Sequence, residues 1–231
     1  MTKHSFTPSR RGDSFFGQLV HQTIERLHRQ TLKGIPGQSD EIYVQAVFAK
    51  TYQQLLRTAT HPLSEMEKEQ ALRQVLNYYQ QNQREIQHSR AAEFPVQIDR
   101  RAYILRGKVD LLVNGDKGLE VFDFKTHARP DHDSLHLAFY QQQLHLYAHA
   151  LQKHIGHLPE RLWLYWTAEE QKKDALMEVA CDKDSMAETV SAVDELVTKM
   201  QNKQFEVKIP PSPEICKRCD IRRLCKKEGI L

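Results

Sequence analysis

The sequence predicts an α/β domain built on one mixed sheet, and three observations carry that prediction. Apolar residues recur every three or four positions up to about residue 88, as they do along helices. From Phe94 the period drops to two, the mark of strands. A helical stripe then returns between the apolar run Leu119 to Thr126 and two further strand-like segments, which is the order of a crossover within a sheet.

Taken in order, Phe16, Val20, Ile24 and Leu27 form one stripe from Phe15 to about Arg29, with Asp13 or Ser14 placed to cap it. The Gly- and Pro-bearing stretch 33–40 reads as a loop, and Ser39 or Asp40 starts a second helix reaching about Arg57. His61-Pro62 ends that helix, and Ser64 opens a third running towards His88, its Gln-rich half exposed along one side. Phe94, Val96 and Ile98 alternate, as do Tyr103 and Leu105, with Val109 and Leu111 following Gly107. Asn114-Gly-Asp-Lys-Gly118 is a hairpin turn by composition, and Leu119 to Thr126 is the returning strand, apolar enough to be central. Leu137, Leu144, Ala148, Leu151 and Ile155 place a helix over 134–155. Two strands, Arg161 to Thr167 and Ala175 to Cys181, precede a last long helix from Asp184 to about Lys203. Pro210, Pro211 and Pro213 then lead into a cysteine-rich tail. The expected organisation is one domain over 1–231, in which residues 1–90 are helical, 91–205 form the core and 206–231 are a Pro/Cys-rich tail.

With 40% hydrophobic and 27% charged residues the chain reads as globular rather than disordered or fibrous. It has no apolar run near the roughly 18 residues of a membrane helix. The opening Met-Thr-Lys-His-Ser-Phe-Thr-Pro lacks the apolar stretch of a secretory leader, so no membrane partner and a cytoplasmic location are expected. The formal charge is only +3, but Lys217 to Glu228 carries six basic residues against two acidic ones, either a solvated surface or a phosphate-facing patch. Three of the four cysteines crowd into the last sixteen residues, which in a reducing compartment favours metal over disulfide.

The chemistry concentrates on the hairpin. Asp123 and Lys125 interrupt a Val-Phe-Phe run and, being two apart, share a face, while Phe122 and Phe124 point the other way. Asp110 lies across the turn, where the partner strand can bring it alongside. Two carboxylates and an ammonium inside a sheet are costly unless they pair or bind a cation. Such carboxylates suit Mg²⁺ or Mn²⁺, with the lysine placed to orient an attacking water, whereas the plainer alternative is a structural Asp–Lys ion pair. Gln143 and Tyr147, at i and i+4, flank the apolar stripe of their helix and can reach the sheet beside Asp123; a half-buried helix shoulder would look the same. His21 lies one position off the first stripe, on the Gly17 side, a ligand or a satisfied core histidine.

Gly17-x-x-x-His21, Gly107-x-x-Asp110, Asp123-Phe-Lys-Thr126 and Gln143-x-x-x-Tyr147, in this order and followed by clustered cysteines, resemble the RecB-type branch of the PD-(D/E)XK nuclease superfamily. That branch includes the nuclease domains of RecB and AddAB helicase-nucleases and CRISPR-associated RecB-like exonucleases. The resemblance spans residues 17 to 225 and implies a restriction-endonuclease-like core, a central mixed β-sheet flanked by helices. It implies Asp110 and Asp123 as ligands of Mg²⁺ or Mn²⁺, joined by His21 and the backbone carbonyl of Phe124. It further implies Lys125 as the catalytic lysine, with Gln143 and Tyr147 holding the DNA strand and supporting that lysine. Glu93 falls where related domains often carry an acid. The implied reaction is hydrolysis of DNA phosphodiesters, on single strands or DNA ends, in a UvrD-like helicase-nuclease or its partner subunit. A freestanding CRISPR-associated type of exonuclease and a noncatalytic DNA-binding module are the alternatives, the intact Asp110, Asp123 and Lys125 speaking against the latter.

Cys216-Lys-Arg-Cys219 and Cys225 match the C-terminal cysteines of iron–sulfur members of the branch, implying a 4Fe–4S cluster. The fourth, upstream cysteine of those members has no counterpart in residues 1–20; it could belong to a longer chain, Cys181 could take its place, or the cluster could be degraded or absent, leaving three thiols or a zinc ion. Lys217, Arg218, Arg222 and Arg223 would then be presented to DNA. The pairs His132/His136 and His145/His149 have the i, i+4 spacing of helical metal sites, but the second pair lacks a carboxylate partner at fixed spacing and could simply face water.

Overall fold

Capping and apolar spacing settle most of the helices in the computed structural model, which describes residues 12–32, 40–58, 62–204, 216, 222–227 and 229. The first helix, α1 (Gly12–Leu32), starts earlier than its stripe suggests, so Asp13 and Ser14 fall inside its first turn. Its buried face is also broader than the expected stripe, because Phe15, Leu19, Thr23 and His28 are buried with Val20, Ile24 and Leu27. Helix α2 (Glu41–Leu56) is capped by the Asp40 carboxylate, which accepts from the Tyr43 N–H. Helix α3 (Glu65–Gln81) opens on a capping box in which Ser64 and Glu67 satisfy each other's backbone N–H groups.

The expected third helix does not run unbroken to His88. It stops at Asn82, which leaves helical geometry (φ −125°, ψ 35°), and a short α4 (Gln83–Gln87) follows. The cause is a buried amide: Asn82 Nδ2 donates to the Tyr78 carbonyl at 2.8 Å and to the Tyr165 hydroxyl at 2.8 Å, tying the helix end to β4 on the face of the sheet it covers.

Five strands follow: β1 (Ser89–Asp99), β2 (Ile104–Asn114), β3 (Leu119–Lys125), β4 (Arg161–Trp166) and β5 (Leu176–Val179). They lie side by side in chain order, antiparallel except for the parallel pair β3–β4, so the sheet is mixed as expected. The 115–118 turn closes with Gly115 N–H donating to the Gly118 carbonyl at 2.8 Å. Helix α5 (Leu135–Ile155), capped by Ser134 and ended by Gly156 in the left-handed region (φ 83°), makes the crossover between β3 and β4. The second late strand is shorter than expected, because Ala175 ends a one-turn helix, α6 (Lys172–Ala175), and Cys181 lies past β5. Helix α7 (Lys183–Gln201) starts at an Asp182 cap, and α8 (Arg222–Lys227) lies in the tail. No helix among the described residues is long and apolar enough to cross a membrane.

The sheet divides the core in two. Leu111, Val113, Phe122, Phe124 and Tyr165 pack against α1, α2 and α3. Val109, Leu112, Val121, Leu162 and Leu164 pack on the other side with Leu144, Ala148 and Leu151 of α5 and Met186 of α7. Both layers meet at the Lys125 end of β3, and the candidate site lies there.

Candidate active site

Alternation along β3 turns Phe122 and Phe124 into the helical layer and leaves Asp123 and Lys125 on the α5 side. The β2–β3 ladder ends at Leu111–Phe122, so Asp110 and Asp123 occupy the next facing positions, just where pairing stops. Asp110 Oδ2 accepts the Phe124 N–H at 2.8 Å, which aims its carboxylate at the strand end. His21 reaches in from α1, with Nδ1 3.5 Å from Asp110 Oδ2 and its ring edge-on to Phe124. Asp123, only 2% exposed, has Oδ2 2.5 Å from Lys125 Nζ, an ion pair lacking the alignment of a hydrogen bond. The structure thus brings His21, Asp110, Asp123, Lys125, Gln143 and Tyr147 to one place.

Lys125 is held on three sides. Besides Asp123, its ammonium donates to Gln143 Oε1 at 3.0 Å and lies 4.3 Å from the centre of the Tyr140 ring. Gln143 Nε2 donates in turn to the Tyr147 hydroxyl at 2.8 Å. Tyr140 and its lock were missed from the sequence: His127 Nδ1 donates to the Ala128 carbonyl, so Nε2 accepts from the Tyr140 hydroxyl at 2.9 Å. Its spacing, three before Gln143 and seven before Tyr147, was the available signal. Gln74 was missed as well; its amide donates to the Thr126 carbonyl and accepts from Thr167, clamping the ends of β3 and β4 together.

One glycine of the motif permits close approach: a Cβ on Gly107 would sit 3.1 Å from the Tyr147 ring, whereas one on Gly17 would meet Thr126 Oγ1 at 3.5 Å, an ordinary contact. Glu93 lies opposite this region on β1 with φ 53°, a backbone conformation that costs a non-glycine residue about 1–3 kcal/mol. Its carboxylate pairs with Lys108 at 3.3 Å.

The electrostatics follow from burial and crowding. Burial first, and then the charge of Asp110, push the Asp123 carboxyl up to about 6, against the pull of Lys125. For His21, burial alone would lower the pKa, but the hydrogen bond and charge of Asp110, with Asp123 behind it, raise it on balance. Burial pushes the Tyr147 hydroxyl up to about 12. Asp110 and Asp123 lie side by side with one buried Asp123 oxygen, Oδ2, left without a hydrogen bond, and two such carboxylates are the kind of oxygen donors a divalent cation takes. Among the described residues no group of three or more His, Cys, Asp or Glu side chains is close enough to form a cage on its own.

The other candidates separate from this place. His132 and His136 are exposed. His145 is buried rather than facing water, hydrogen-bonded to Thr189 and to the Ala180 carbonyl, and His149 is half-buried on the same helix. Cys181 donates its S–H to the Pro159 carbonyl at 3.4 Å, and burial raises its pKa, away from a ligating thiolate. It does not gather with Cys216 and Cys225 into a ligand group. Arg222 and Arg223 are exposed on α8, whereas Lys217, Arg218, Cys219 and the three prolines lie outside the described residues.

Comparison with known proteins bears on the family and the fold. A model of the PD-(D/E)XK nuclease superfamily matches residues 3–226. A crystal structure from Eubacterium rectale, named as that of a candidate exonuclease, shares 10% identity at a TM-score of 0.56, covering 91% of this chain and 80% of its own. A second solved structure, SSO0001, aligns at a TM-score of 0.43 and 14% identity, covering 89% and 84%. No curated protein matches the chain.

Proposed function

The chain belongs to the PD-(D/E)XK nuclease superfamily, and from that premise we propose that it is a Mg²⁺- or Mn²⁺-dependent deoxyribonuclease acting on single strands or DNA ends. The observation that carries this reading is the convergence of Asp110, Asp123 and Lys125 at the end of the β2–β3 ladder. There Asp123 is buried, crowded by Asp110 and only partly neutralised by Lys125.

Asp110 and Asp123 would hold the divalent ion, with His21 and the Phe124 carbonyl at its margin. The bound ion supplies an activated water and charge neutralisation at the scissile phosphate. The chain's own groups do the rest. Lys125, fixed by Asp123, Gln143 and the Tyr140 ring, presents its ammonium where charge develops on the phosphoryl oxygens. Tyr147, kept protonated far above neutral pH, can donate to a phosphate oxygen. Gln143 joins the two, so lysine and tyrosine keep a fixed spacing. His21 buttresses Asp110, which is otherwise oriented by the Phe124 N–H.

The test is cleavage of single-stranded and duplex DNA by purified protein with Mg²⁺ or Mn²⁺, compared with chelator. Metal-dependent cleavage lost in Asp123→Ala and Lys125→Ala supports the reading; binding without cleavage by the unmutated protein favours the noncatalytic alternative. Two finer readings rest on the sequence resemblance: a helicase domain or subunit as partner, and a 4Fe–4S cluster on Cys216, Cys219 and Cys225. Iron and an absorption band at roughly 400 nm in anaerobically prepared protein support the cluster, and zinc in their place overturns it.

A further inference from the structure

Helix α5 runs antiparallel to β3, because it carries the chain back to the start of the parallel strand β4. Lys125, the last residue of β3, meets Tyr140 and Gln143, so the first turns of α5 extend past the strand end. One side of the helix shows the consequence. Phe139, Gln143, Leu146 and Ala150 recur at three and four residues and share that side. Leu146 and Ala150 meet Val96, Ile98 and Leu105 of the β1–β2 pair. Gln143 is half-buried, bonded to Lys125 and Tyr147. Phe139, one turn earlier, is 61% exposed.

That exposure sets Phe139 apart. Among the described residues it is the only exposed phenylalanine, tyrosine or tryptophan, and the other exposed large apolar side chains, such as Ile42, Met66 and Leu196, are aliphatic. Ring contacts near the site run His21–Phe124, Phe124–Tyr165 and His127–Tyr140, and Phe139 enters none of them. The site's two tyrosines are already engaged: Tyr140 lies under Lys125 and is bonded to His127, while Tyr147 is held by Gln143 and backed by Gly107. Phe139 is thus the ring beside the reaction centre with its faces free. Along the helix axis it stands about 6 Å from Gln143, one to two nucleotides at the ~3.4 Å rise of a stacked strand. Its exposed neighbours His136, Ala138 and Gln142 are polar or small. A lone ring in such surroundings falls far short of the ~800 Å² that a protein partner covers, but it matches the size of one base.

We infer that Phe139 stacks on an unpaired base of the DNA strand, one or two nucleotides from the phosphate at Lys125. Every base has a π-face, so this platform grips a single strand of any sequence, whereas a duplex keeps its bases stacked on one another. The inference rests on the proposed nuclease reading and adds the side chain that holds a base beside the reacting phosphate.

The test is fluorescence anisotropy of a labelled oligothymidylate with the full chain, Ca²⁺ replacing Mg²⁺. Phe139→Ala should weaken binding between about 5- and 100-fold. The slope of log affinity against log salt should stay unchanged, because a neutral ring releases no counterions. The side chain is exposed, and circular dichroism matching the parent confirms the fold. Phe139→Trp should bind as tightly as the parent, its emission falling on binding beyond any change from Trp163 and Trp166. Phe139→Leu, apolar but without a ring, should stay weak, and an abasic oligomer of the same length should bind parent and Phe139→Ala alike. Parental affinity in Phe139→Ala or Phe139→Leu overturns the platform, as does an equal defect on the abasic oligomer. Cleavage by the unmutated protein together with unaltered binding in Phe139→Ala removes the platform alone; absent cleavage with weakened variant binding removes the nuclease reading and keeps the platform.

Discussion

Two buried polar knots lie a turn or two apart on α1, and they are built to opposite ends. At His28 both ring nitrogens are answered, Nδ1 by Ser89 at 2.6 Å and Nε2 by Tyr78 at 2.8 Å, with no charge enclosed. Burial lowers its pKa to about 3, so it stays neutral and works as a strut joining α1, α3 and β1. At His21 the same helix meets Asp110 and Asp123, where two carboxylates face one ammonium and a buried oxygen lacks an aligned donor. A satisfied knot stabilises, whereas an unsatisfied one carries a cost that a bound cation, on the proposed reading, would offset.

Substitutions should separate the two. The largest effect is expected at Asp123→Ala and Lys125→Ala, each lowering cleavage about 10³-fold or more in a steady-state assay. Asp123→Asn should leave thermal stability in metal-free buffer above pH 6 unchanged or raised, since it removes the crowded charge while leaving Lys125 a polar partner of the same shape. Gly107→Ala should come next: the new Cβ presses on the Tyr147 ring, and a shift there should slow cleavage between about 10- and 100-fold. His28→Ala should do the reverse of the Asp123 substitutions, costing about 2–3 kcal/mol in denaturant unfolding while activity per folded molecule persists.

How legible each knot was in the sequence follows from what makes it. The carboxylate knot stood out because Asp123 and Lys125 break an apolar strand within three residues, a purely local anomaly. The expected face assignment of Phe122 and Phe124 also follows from period two alone, and both pack as that period requires. His28 was invisible by comparison, since its partners Tyr78 and Ser89 are 50 and 61 residues away. The break at Asn82 was hidden for the same reason, its cause being Tyr165 on β4, 83 residues away. Tyr140 was hidden by its type, an aromatic among other helix-face residues until Lys125 is seen over its ring.

The smallest expected effect is on pH dependence, where the knots oppose each other. Asp123 titrates near 6 when folded against 3.8 ordinarily, so its contribution to stability falls as pH rises from about 4 to 6. His28 titrates near 3 when folded against 6.5 ordinarily, so its contribution is full above 6.5 and is lost as pH falls towards 3. Metal-free Asp123→Asn should therefore lose stability more steeply than the parent on acidification from pH 6 to 4. Thermal melts across that window check it, and parallel curves would erase the distinction.

Binding of Mn²⁺, followed by loss of the free-ion paramagnetic resonance signal, reaches the heart of the matter most directly. Unmutated protein should take up the ion, and Asp110→Asn and Asp123→Asn should each lose that uptake while His28→Ala keeps it. Undiminished uptake by either aspartate variant would contradict a shared ion between Asp110 and Asp123.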